Sequence, residues 1–278
     1  MTRRLPAATL VALALVAGAC GGDGKPVVTA TTVGASSTSA PSTTPTSAPV
    51  AATTTTTTVA ARPTVVDDVL RGGSEADHYT YRATFPKLQG LADARVQDTV
   101  NADLRAGVQR VVDEFVAGTD DFAPLPDSQP SALDGTYRVT RLDDRLASFQ
   151  VTVSRYFSGA AHPGAVLLAS TYDLVTGRRL ALADLFTVGA PYLDRLSELS
   201  RQLLLAQPDF DQLQDFVLPG TEPKAENFAG WTVTDQDLVI TFSEYQVAPY
   251  AMGMPHVSIP FASLRTLLDP AGPLAIRN

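Results

Sequence analysis

The groups best placed for chemistry in this chain are His162, the single cysteine Cys20, and three carboxylates, Asp173, Asp184 and Glu244. His162 sits in Phe157-Ser158-Gly159-Ala160-Ala161-His162-Pro163-Gly164. Small neighbours there let backbone and imidazole approach a ligand, and imidazole changes charge near neutral pH. The plainer role is a turn lock, with the ring hydrogen-bonded to the strand end or to the segment Tyr245–Gly253. Paired carboxylates could support glycan hydrolysis with His162 nearby. However, Asp173 and Asp184 flank turns, where aspartate ordinarily caps backbone amides. His78 and His256 are remote from His162 and lack paired ligand spacing, so neither a metal site nor a cofactor is expected. There is no Gly-x-Ser-x-Gly elbow, His-Glu-x-x-His helix or phosphate-cradling loop, and a lone cysteine excludes dithiol redox work. Tyr156, Phe157, Tyr245 and Tyr250, with Met252 and Met254, are either the lining of a contact surface or an ordinary core edge. Tyr250–Met254 is unusually apolar for a loop. The candidate ligand-binding set is thus Tyr156, Gly159, His162, Pro163, Tyr245, Tyr250 and Met252, with no catalytic residue assigned.

Cys20 belongs to different chemistry. Arg3 and Arg4 are followed by an apolar run, Leu10 to Ala17, and then by Ala17-Gly18-Ala19-Cys20, the order of a secretory signal. That run is shorter than the roughly 20 residues a membrane span needs. The small residues before the cysteine resemble the lipobox of bacterial lipoproteins, with Ala17 where leucine or valine is more usual. The expectation is a signal peptide over residues 1–19 and a lipid on Cys20; simple cleavage after Ala19 is the alternative. With one cysteine the chain can form no internal disulfide. Residues 20–64 are rich in Thr, Ser, Ala and Pro, including the run Thr53 to Thr58, and read as a disordered tether suited to O-glycosylation. Losing Arg3 and Arg4 with the signal takes the net charge from −8 to −10. Such an acidic surface opposes nucleic acid and anionic lipid, so no nucleic-acid partner is expected.

The elements that would position these groups lie in residues 65–278, long enough for one sizeable core. Alternation over Tyr79–Phe85 predicts a strand ended by Pro86. Val96, Val100, Leu104, Val108, Val111, Val112 and Phe115 recur every three or four residues and predict a helix from about Leu88 to Val116, with Asn101 beside the stripe. Gly118–Gly135 reads as a loop. Tyr137–Leu142 and Leu146–Tyr156 form a hairpin around Asp143-Asp144. Strands over Ala165–Leu174 and Arg178–Leu182 follow, joined through Gly177. A second helix begins near Pro191 and buries Leu193, Leu196, Leu199, Leu203 and Leu204. A shorter helix, a hairpin of Phe228–Val233 and Leu238–Phe242, an edge strand Val257–Phe261, and a helix Ser263–Leu268 capped by Ser263 complete the pattern. The fold class is α+β: a curved antiparallel sheet of hairpins packed against two main helices.

Three segments together carry a family resemblance: Tyr156–Pro163, Tyr172-Asp173-Leu174-Val175-Thr176-Gly177 and Leu182-Ala183-Asp184-Leu185-Phe186. With Leu238–Phe242, Tyr245–Gly253 and Val257–Pro260, they resemble the domain of unknown function 3298. That family includes the extracellular part of RsiV-like anti-sigma factors and is similar to secreted mycobacterial immunogenic proteins. The resemblance runs over most of Tyr79 to Leu268, departing at Ala160, where the family more often has a second glycine. It implies an α+β domain displayed outside the membrane and, in RsiV-like members, binding to lysozyme. Those members also carry a cytoplasmic segment and a membrane span that this sequence lacks, so an anti-sigma role is not expected. The expected function is a lipid-anchored, non-enzymatic envelope module that binds or senses a lysozyme-like protein or peptidoglycan. A glycan- or ester-cleaving hydrolase using His162 is the alternative.

Overall fold

The computed structural model describes residues 62–121 and 128–275, all within the compact unit Thr56–Asn278. The expected signal peptide, Cys20 and nearly all of the tether lie outside the described residues, as do residues 122–127 of the expected loop. The first half is one five-stranded sheet, β1 (Thr64–Ser74), β2 (Tyr79–Gln89), β3 (Ser131–Leu142), β4 (Leu146–Tyr156) and β5 (Gly164–Asp173), in that spatial order. Its pairs are antiparallel except β2 and β3, which run parallel from Tyr79↔Ser131 to Ala83↔Gly135. A parallel step needs a crossover, supplied by α1 (Ala94–Thr119). The second half is a three-stranded antiparallel sheet of β6 (Trp231–Val233), β7 (Asp237–Thr241) and β8 (His256–Pro260), with α2 (Tyr192–Leu205) and the short α3 (Gln214–Gly220). The protein is therefore α+β, with its two main helices on different sheets.

The valine-rich stripe of α1 is buried throughout, from Val96 to Phe115. It meets Phe85, Leu133, Val151 and Val153 at one end and Leu88, Phe149 and Tyr172 at the other. The helix begins at Ala94, later than Leu88, because the Asp93 carboxylate caps the amides of Arg95 and Val96. Leu88 itself finishes β2: the Asn101 side chain accepts from its N–H (2.7 Å) and donates to its C=O (3.0 Å). Pro86 does not end the strand. β3 has left β2 after Ala83, so residue 86 has a strand on one side only, where a missing N–H is tolerated.

Three other expectations change. Arg178–Leu182 is not a strand: one bridge, Tyr172↔Arg179, is followed by a 3₁₀ turn at Leu182–Leu185, because the Asp184 carboxylate takes the Ala181 amide at 2.7 Å. The terminal helix is a single 3₁₀ turn, Phe261–Leu264, preceded by Pro260 and without a side-chain cap, so Ser263 does not cap it. The expected loop ends early, since β3 starts at Ser131. β8 is an edge strand, as its flanking prolines suggest.

In the second half Leu196, Leu199 and Leu204 of α2 pack with Trp231, Leu238, Ile240, Val257 and Ile259. At the Thr234 end the two sheets are joined by side chains. The Val233 amide donates to Ser148 Oγ (3.1 Å), itself bonded to Thr171 Oγ1 (2.8 Å), and the Arg141 guanidinium reaches the Thr234 carbonyl at 3.3 Å. Gly230 is required within the second sheet, where a Cβ would collide with the Thr241 carbonyl of the facing strand.

Candidate functional site

The turn linking β4 to β5 meets the loop linking β7 to β8, and His162 is where they touch. Within the turn the left-handed residue is Gly159 (φ +80°), while the Ala160 amide donates to the Phe157 carbonyl at 2.9 Å. Ala160 is therefore no obstacle, since the positive φ falls one residue earlier. The facing loop is anchored by buried Val247 and Ala248 and by Gln246, whose amide nitrogen donates to the Gly220 and Asn227 carbonyls, each at 2.9 Å.

Between them lies an aromatic stack. The His162 ring covers Tyr250 at 3.8 Å with 24° between planes, and the Tyr245 ring lies 5.8 Å from Tyr250 at 29°. The Pro163 carbonyl accepts from Tyr250 Oη at 2.8 Å and lies 2.9 Å from His162 Nδ1. A carbonyl can only accept, so Nδ1 donates to it, and Nε2 lies 3.3 Å from Tyr245 Oη. Glu244 fastens the same corner by accepting the Ala165 amide at 3.0 Å. Tyr245 is 55% exposed and has φ +63°, a left-handed backbone that a tyrosine adopts at a cost of order 1 kcal/mol. Tyr245 is thus a strained, solvent-facing aromatic held beside an exposed imidazole.

His162, Pro163, Tyr245 and Tyr250 thus converge, with Gly159 shaping the turn. Tyr156 does not join them: it ends β4 opposite Ala132. Met252 packs against the α2 core instead. The carboxylates separate. Asp173 accepts the amides of Val175 (2.8 Å) and Thr176 (3.2 Å), while Asp184 holds the Ala181 amide and Arg178 (2.6 Å). All three act as backbone fasteners, and both His162 nitrogens are engaged by groups other than carboxylates. His78 sits at the β1–β2 hairpin and His256 on β8, so the three histidines occupy three places. Among the described residues no group of three or more His, Cys, Asp and Glu is placed to hold a metal ion.

The perturbed acidities brace the frame instead. Burial, then the bond to Asp67 (2.7 Å), pushes the Tyr137 phenol up to about 12; burial and the bond to Asp103 (2.7 Å) raise Tyr172 further. Burial also pushes the Asp143 carboxyl up, but the amides of Arg145 and Leu146 and the Arg141 guanidinium more than offset it and hold it below the usual carboxylate range.

Apart from the stack, a cleft of about 550 Å³ opens between the two sheets, walled by Arg138, Thr140 and Gln150 on one side and by Val239, Thr241, His256 and Ser258 on the other. The Tyr245–Met254 loop reaches it through Met254. Sequence reasoning missed this cleft, since Gln150 reads there as an ordinary outward residue of a strand.

Residues 183–262, from the turn after β5 through β8, match the family described as Protein of unknown function (DUF3298). The match is narrower than the expected span from Tyr79 to Leu268, and the segments Tyr156–Pro163 and Tyr172–Gly177 lie outside it. Over 190 residues (68% of this chain) the chain is 23% identical to peptidoglycan-N-acetylmuramic acid deacetylase PdaC of Bacillus subtilis, covering 39% of that protein. Over the same length it is 24% identical to an esterase of Mycobacterium tuberculosis, of which it covers 76%. The chain therefore spans well under half of the deacetylase. Among solved structures, a DUF3298 protein of Pseudomonas aeruginosa superposes with TM-score 0.57 at 16% identity, over 78% of this chain and 97% of that one. One from Bacteroides fragilis gives 0.54 at 17%, over 74% and 93%. Both overlays extend well beyond residues 183–262, so the fold is shared across the two halves. The chain carries a DUF3298 domain at residues 183–262, set in an architecture it shares with DUF3298 proteins of known structure.

Proposed function

We propose that this chain is a non-enzymatic binding or sensing module of the cell envelope. In this reading it is exported by its signal peptide, held at the membrane by a lipid on Cys20, and engages peptidoglycan or a lysozyme-like protein through the stack of His162, Tyr245 and Tyr250. The observation that carries it is Tyr245: an exposed ring in a left-handed backbone, stacked on Tyr250 and bonded to His162. Flat, amphipathic rings of this kind give large contact area at low entropy cost, against a sugar face or a protein surface. A relative named as a peptidoglycan deacetylase supports the envelope setting. The hydrolase alternative requires a carboxylate behind His162, and the ring bonds to Pro163 and Tyr245 instead.

The test is retention of the full chain on insoluble peptidoglycan and on immobilised lysozyme. One of the two is expected to hold it, and Tyr245→Ala to abolish most of the retention with the fold intact. Retention on neither, or full retention by Tyr245→Ala, overturns the reading. Cys20→Ala is expected to release a folded protein into the medium.

A further inference from the structure

The cleft between the two sheets has a composition unlike the rest of the molecule. The chain carries a net charge of −8, yet the lining of the cleft holds Arg138 and His256 and no Asp or Glu. Arg138 and Gln150 are directly opposed across β3 and β4, while His256 and Ser258 stand opposite Thr241 and Val239 across β8 and β7. Among the described residues, the side chains of Arg138, Gln150, His256 and Ser258 make no hydrogen bond or ion pair within the protein, whereas Thr140 and Thr234, which line the same cleft, spend their hydroxyls on backbone groups. Four donors facing one space without internal partners are groups available to a ligand. The apolar lining, Val139, Val239 and Met254, offers a surface for C–H groups. The fastening of Ser148 to Val233 and of Arg141 to Thr234 fixes the sheets at the Thr234 end, so the cleft is preformed.

We infer that this cleft binds a sugar acid, a mono- or disaccharide-sized ligand whose carboxylate is taken by Arg138 and whose hydroxyl and amide groups are taken by Gln150, His256 and Ser258. A guanidinium presents a fork of N–H donors that matches a carboxylate in two parallel bonds. The cleft volume, about 550 Å³, falls in the range of small-ligand sites. The inference rests on the binding reading above but concerns a second site, and the two fail separately: Arg138→Gln leaves the aromatic stack untouched, and Tyr245→Ala leaves the cleft untouched.

The test titrates the full chain with N-acetylmuramic acid and with N-acetylglucosamine, which differ by a lactyl arm bearing one carboxylate, and follows amide shifts by NMR. The acid is expected to bind with shifts at Arg138, Gln150 and Ser258, and more tightly than the neutral sugar. Arg138→Gln is expected to cost about tenfold to hundredfold in affinity for the acid, as for loss of a hydrogen bond to a charged group, and Gln150→Ala a smaller factor. Binding should weaken with added salt. Equal affinity for both sugars, no binding of the acid, or unchanged affinity in Arg138→Gln would each overturn the inference.

Discussion

The two halves use sheet faces differently. In the five-stranded half α1 seals one face with an unbroken apolar stripe, and its tight β3–β4 and β5 turns are closed by Asp143 and Asp173, which spend their carboxylates on backbone amides. In the three-stranded half α2 seals one face, the other walls the cleft, and the β7–β8 connection holds two left-handed residues, Tyr245 and Gly253. The first half is chiefly a frame, although its β4–β5 turn carries His162 and Pro163 and its β3 and β4 supply one wall of the cleft; the second half supplies the facing loop and the other wall.

That division can be broken most decisively at Phe115, which is fully buried against Tyr79 and Phe157. Phe115→Ala is expected to lower unfolding free energy by about 3–5 kcal/mol in urea titrations while retention on the envelope ligand persists in the folded fraction. Loss of retention without unfolding would show that the packing under α1 also shapes the contact. A smaller effect is expected at Ser148, whose hydroxyl joins the halves. Ser148→Ala leaves the buried Val233 amide unsatisfied, at about 1–3 kcal/mol. Trp231, the only tryptophan, reports on the second half by fluorescence, and its unfolding is expected to separate from that seen by circular dichroism. Coincident curves would mean that the bonds between the β4–β5 turn and the β7–β8 loop couple the halves without this hydroxyl. Tyr245→Gly should act oppositely on the two properties. It relieves the left-handed strain, so stability is unchanged or rises by about 1 kcal/mol, while retention is lost. A drop in stability would make Tyr245 part of the frame.

The smallest effect concerns acid. Asp143 is held below its unfolded acidity, so its contribution is present above the ordinary carboxylate range and is lost as pH falls through the lower folded value. Asp143→Asn is expected to lower stability at neutral pH, with the deficit shrinking as pH falls through the lower folded value. A deficit that persists undiminished in acid would contradict the bonding described for this turn.

Periodicity revealed what depends on local burial. All seven α1 stripe residues are buried because a helix over a sheet must hide one stripe, and the sequence records that stripe directly. β1 escaped notice for the converse reason: Asp67, Asp68 and Gly72-Gly73 suit a strand whose outer edge is unpaired. The parallel β2–β3 pairing also left no local trace, since both strands read the same in either direction. At the candidate site the residue types were legible, as aromatics and a histidine among small neighbours, but stacking between residues 162 and 250 depends on two loops meeting in space. The cleft was hidden for a similar reason, because Arg138 and His256 look like ordinary outward residues until two sheets are laid side by side.

The parallel step between β2 and β3 also orders how the sheet assembles. β1 and β2 close over eleven register pairs and β4 and β5 over ten, each between neighbours in the chain. β2 and β3 share only five pairs and cannot meet until α1 has been laid across both. Two ready-made flaps therefore form early and the central seam closes late, with loop-closure entropy already spent on the helix. Until that seam shuts, the edges of β2 and β3 stay unprotected, which makes the middle of the sheet its most vulnerable line during folding.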